Sequence, residues 1–113
     1  MSLMQVAPAP EEVAETAARF GLLADPLRLT IVQALAREQQ CTCHLEELTG
    51  AKQTTVSHHL RVLREAGVVL AEPDGRFTWY RLAPGAFAEA MAALAGLSQV
   101  GEPARLRLAC APC

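Results

Sequence analysis

Aromatic side chains are scarce in this sequence: one Trp, one Tyr and three Phe make up 4% of 113 residues. Leu, Val and Ala must therefore fill any core, and a hydrophobic fraction of 51% is enough for one. No apolar run approaches the roughly 18 residues that would suggest a membrane span. The opening MSLMQVAPAP has no basic residue and no apolar stretch, which argues against a secretory signal. The chain is thus expected in the cytoplasm, where thiols stay reduced. There is no internal repeat and no linker long enough to divide the chain. One domain is expected over residues 10–98, with a flexible arm at 1–9 and a tail at 99–113. Neither an acid–base pair nor a phosphate-binding loop is present. The terminal CAPC has thioredoxin-like spacing, but it lacks the strand and helix start that would activate its thiols. An enzyme is not expected.

Excess positive charge is also missing. The net charge is −2, which taken alone counts against nucleic-acid binding. The distribution says more. From Lys52 to Arg64 no acid occurs, while Lys52, Arg61 and Arg64 are basic. The acids gather at Glu11, Glu12 and Glu15, and again at Glu46 and Glu47. A local basic face contacts phosphate whatever the total charge is.

Periodicity organises the rest. Val13, Ala17 and Phe20 suggest a first helix over about 10–23. Asp25-Pro26 is a start signal for a second, because Asp caps and Pro fits the first turn. Leu27, Ile31, Val32 and Leu35 form its apolar face. HLEELTG reads as a short third helix with Leu45 and Leu48 inward and Gly50 as the stop. A fourth runs over about 53–66, with Val56, Leu60 and Leu63 on one side and Gly67 ending it. Asp74-Gly75 between two β-prone runs marks a hairpin. A last helix over about 85–97 carries Phe87, Met91 and Leu94 on one side. Apolar stripes on the two end helices, more than one small domain can bury, suggest a homodimer.

A short helix, a tight Gly turn and a helix with a polar outer face make the helix-turn-helix layout, and the hairpin supplies a wing. The expected fold is mainly α with a β-hairpin wing, a dimeric winged helix-turn-helix. In QTTVSHHLRVLREAG the outer face offers Thr, Ser, His and Arg. Small side chains allow close approach to the major groove, while Gln and Arg can pair with base edges. Lys52, Gln53, Thr54, Thr55, Ser57, His58 and Arg61 are the candidate DNA contacts on this helix. Arg76 at the hairpin tip is a candidate phosphate or minor-groove contact. His58 and His59 point about 100° apart on a helix and do not readily share an ion. His58 is expected outward and His59 at the core border.

LADPLRLTIVQAL, LEELTGAKQTTVSHHLRVLREAGVV and GRFTWYRL resemble the ArsR/SmtB family of bacterial winged-helix metalloregulators. The resemblance covers about residues 14–97 and is most specific in TVSHHLRVLREAGVV. It implies a homodimer built by the first and last helices, bound to double-stranded operator DNA as a repressor. It also implies release when a metal or metalloid binds. Lys52 departs from the family's usual capping residue before Gln53, so it is expected to touch phosphate instead.

The stretch CTCHL bears on the inducer. Cys41 and Cys43 could not share an ion inside a regular helix, but in an extended or first-turn conformation they can. Thiolates select soft ions such as As(III), Cd, Pb, Zn and Cu(I). Arsenic-sensing members of the family often carry Cys-x-Cys here with another Cys three residues on, a place taken by Glu46. Cys110 and Cys113 in the tail are the expected replacements, giving a metal set of Cys41, Cys43, Cys110 and Cys113. His44 is a further candidate. The family's zinc-type site uses His with Asp or Glu on the last helix, which here holds no His and no Asp. The expected inducer is As(III). The alternatives are a Cd or Pb sensor, or a redox sensor acting through its thiols.

Overall fold

The computed structural model describes residues 8–105. Five α-helices and three strands follow one another as α1 (Pro10–Gly21), α2 (Pro26–Arg37), β1 (Gln40–Cys41), α3 (Thr42–Thr49), α4 (Gln53–Glu65), β2 (Val69–Asp74), β3 (Phe77–Leu82) and α5 (Ala88–Leu94). A 3-10 turn, Ala95–Gln99, closes the described fold.

Local chemistry places the helix ends. Asp25 Oδ1 accepts from the Arg28 amide at 3.0 Å, with Pro26 as the first residue of α2. Gly50 ends α3 with φ +73, a conformation that glycine adopts without strain. Thr49 Oγ1 donates to the Leu45 carbonyl at 2.7 Å and accepts from the Ala51 amide at 3.2 Å, which fixes the turn into α4. Lys52 stands at the start of α4 with no side-chain cap.

The core lies between α2, α3, α4 and the sheet. Ile31, Leu45, Val56, Leu60, Leu63 and Val68 are its fully buried side chains. Val56, Leu60 and Leu63 recur at helical spacing, so one stripe of α4 is buried while the opposite face stays open. The sheet is antiparallel in the order β1-β3-β2. β2 and β3 form the wing, with Asp74 paired to Phe77 across the two-residue tip Gly75-Arg76.

Several expectations need correction. Leu48 is 56% exposed, whereas Leu45 is fully buried. Leu45 is the one buried residue of α3, and Leu48, in the last turn before Gly50, lies past the part of the helix that packs on the core. The last helix starts at Ala88 rather than at 85, because Gly85 has φ +69 and belongs to a turn. The first helix stops at Gly21, and Leu22 and Leu23 then pack against the core from a turn. The strand β1 was not expected at all.

Candidate nucleic-acid interface and thiolate cluster

Burial of Val56, His59, Leu60 and Leu63 turns the other side of α4 to solvent. Gln53, Thr54, Thr55, Ser57, His58 and Arg61 are all exposed there, with Lys52 at the helix start and Arg76 at the wing tip also exposed. Arg61 Nη2 lies 3.3 Å from His58 Nδ1, so the two side chains share the outer face. No acid stands in the first turn of α4. That leaves the helix N-terminus and its basic neighbours facing outward with no negative charge between them, as phosphate contact requires.

The second arrangement sits where β1 runs into α3. Cys41 is the residue before α3 and Cys43 lies in its first turn. Cys41 is extended, with φ −93 and ψ 171, so the two side chains converge instead of diverging as they would in a continuous helix. Their sulfurs are 2.6 Å apart and are not bridged. His44 folds back over the helix start: its Nδ1 accepts from the Cys41 amide at 3.4 Å and lies 3.6 Å from Cys41 Sγ. Cys41 Sγ, Cys43 Sγ and a His44 ring nitrogen thus all fall within 4.8 Å of one another. Cys41 is buried, while Cys43 and His44 are exposed.

Electrostatics splits the two thiols. Burial pushes the Cys41 thiol up, but the Cys43 thiol and backbone amides at the helix start outweigh it, and its pKa falls below the ordinary value. Cys43 shifts the other way, through its hydrogen bond to Cys41, burial and the Cys41 charge. The pair therefore favours one thiolate at position 41 held by one thiol at position 43, and the second thiol gives up its proton less readily than the first. Two sulfurs and an imidazole suit a thiophilic or borderline ion.

The cluster is fastened to the wing. Cys41 pairs with Trp79 and Gln40 with Tyr80. The His44 ring also lies against Trp79, with centroids 5.8 Å apart. The contact of His44 with Cys41 follows from its place as the third residue of α3, from which a side chain reaches back to the helix start. A two-residue strand leaves no alternation to read. Glu46, the place of the family's third Cys, is not part of the cluster. Cys110 and Cys113 lie outside the described residues.

A helix-turn-helix with an open polar face on its second helix and a two-stranded wing defines the winged helix-turn-helix class. The pattern of the bacterial regulatory protein arsR family matches residues 25–70, from the cap of α2 into β2. The HTH-type transcriptional repressor SmtB of Mycobacterium tuberculosis is 41% identical over 78 residues, 68% of this chain and 58% of that protein. The arsenical resistance operon repressor of Escherichia coli is 39% identical over 66 residues, 58% of this chain and 56% of that one. The chain thus spans little more than half the length of these curated relatives. A solved structure described as a possible transcriptional regulator for arsenical resistance superposes with TM-score 0.63 and 37% identity, covering 70% of this chain and 82% of that one. The chain belongs to the arsR family of bacterial regulatory proteins.

Proposed function

We propose that the protein is a homodimeric repressor that binds operator DNA through α4 and the wing, and is released when a thiophilic ion binds Cys41 and Cys43. The convergence of the two sulfurs at the start of α3 carries this reading. As(III) is the proposed inducer, with Cys110 or Cys113 supplying a third sulfur. The relatives named for arsenical resistance support that choice. A second reading follows from His44, which stands beside the pair: two thiolates and an imidazole would favour Cd(II) or Zn(II) over As(III).

An ion releases DNA only if it binds the free conformation more tightly than the DNA-bound one. The route available here runs through β1 to β3 and the wing, and through the short α3 to α4.

The reading assigns Arg61 to phosphate and Thr54, Ser57 and His58 to base edges. Arg61→Ala should weaken binding to all duplexes and lower the salt slope by about 1. Single substitutions of Thr54, Ser57 or His58 should relax sequence choice, each base contact being worth about 1–3 kcal/mol. Anisotropy with duplexes selected from random DNA by the wild-type chain measures both. Unchanged affinity in all four variants contradicts the role given to α4.

Dimerisation is proposed through α1 and α5. α1 has no buried residue, and Val13, Met91 and Leu94 are 51%, 58% and 39% exposed. A groove of about 1210 Å³ runs between the two helices, with Phe20 in its wall. A second copy would cover these side chains together with Phe87. Sedimentation at micromolar concentration should show a dimer, and a monomer there contradicts the proposal.

A further inference from the structure

His59 is the one buried polar side chain among the described residues, 8% exposed, and it lies on the reading helix. Its surroundings are specific. Arg28 Nε, on α2, donates to His59 Nδ1 at 3.2 Å. A ring nitrogen that accepts cannot also carry the proton, so the neutral imidazole holds it on Nε2. Nε2 faces Asp25 Oδ1 at 3.9 Å. That same oxygen accepts from the Arg28 amide and caps α2. One cap residue, one arginine and one histidine thus tie the start of α2 to the middle of α4.

We propose that Asp25, Arg28 and His59 position the reading helix: neutral His59, accepting from Arg28, holds α4 against α2 in the orientation that fits DNA, and a proton on His59 loosens it. This rests on the reading of α4 as the DNA-binding helix. Protonation would place an N–H on Nδ1, so that two donors and two positive charges meet where a hydrogen bond stood. Asp25 attracts the proton, and Arg28 and the neighbouring His58 oppose it. Burial opposes it most, and the His59 pKa lies below its ordinary 6.5. The contact's contribution is therefore fully present above about pH 6.5 and is lost as pH falls through the depressed folded value.

Asn and Gln separate this role from simple packing. Asn at position 59 sets an amide oxygen near the place of Nδ1 and does not titrate, whereas Gln sets its amide nearer Nε2. Affinity for a duplex selected by the wild-type chain is read by anisotropy at constant ionic strength, from about pH 8 to about pH 5.5. Every other group is common to the two proteins, so the ratio of wild-type to His59→Asn affinity isolates His59. The ratio should fall toward acid pH, and by less than about ten-fold at about pH 5.5 because the His59 pKa lies below 6.5. His59→Gln should bind more weakly than His59→Asn at the alkaline end. Nitrogen chemical shifts of the wild-type imidazole should show the proton on Nε2 at neutral pH. Parallel pH profiles with DNA binding retained, or a proton found on Nδ1, overturn this inference alone. A folded wild-type chain that selects no duplex overturns the reading of α4 as well.

Discussion

Serine at both Cys41 and Cys43 is expected to leave DNA binding within about twofold of wild type and to abolish the response to As(III), Cd(II) or Zn(II). The two hydroxyls are poor donors for soft ions, while the backbone that places them is set elsewhere. Cys41 is held by its pairing with Trp79, and α3 by burial of Leu45. Neither sulfur is part of the exposed face of α4. The effect on release should therefore be all or nothing, while the effect on binding stays small. His44→Ala separates the two proposed donor sets. It should leave As(III) release nearly unchanged if a tail cysteine is the third donor, and weaken Cd(II) release at least tenfold if the imidazole is. Operator release by the double serine variant at the wild-type As(III) concentration would place the sensor elsewhere.

Leu45→Ala should destabilise the fold by about 2–5 kcal/mol. Leu45 is fully exposed to the core and not at all to solvent, and it is the one buried residue of α3. Truncation leaves a cavity beneath the helix that carries Cys43 and His44. The loss should appear as a large drop in the urea midpoint with an unchanged slope. Leu48→Ala makes the contrast. Leu48 is 56% exposed, so its loss should cost less than about 0.5 kcal/mol. Equal costs for the two would contradict the orientation of α3.

Much of this fold could be read from residues whose chemistry is local. Asp25-Pro26 starts α2 by capping, Gly50 and Gly67 end helices at positive φ, and Asp74-Gly75 leads into the wing tip. The stripe of Val56, Leu60 and Leu63 named the buried side of α4, and with it the exposed one. What escaped depends on tertiary contact. β1 is two residues long and exists because Gln40 and Cys41 pair with Tyr80 and Trp79, some forty positions away. The inward reading of Leu48 failed because only the first part of the short α3, at Leu45, packs on the core, and periodicity does not show how far along a helix the packing runs. The convergence of Cys41 and Cys43 was legible only as a condition, an extended residue before a helix, and the backbone at Cys41 meets it. His59 was legible as a border residue, but its bond to Arg28 joins helices 31 positions apart and has no local signature.

The proposed thiolate control of DNA binding is tested most directly by one titration. The reduced wild-type chain is bound to a labelled duplex that it has itself selected, and As(III), Cd(II) and Zn(II) are added separately while anisotropy is followed. The account predicts that at least one thiophilic ion returns the signal to that of free DNA, and that excess dithiol chelator restores the complex. Full retention of the duplex with all three ions, while equilibrium binding shows an ion seated on Cys41 and Cys43, would contradict it.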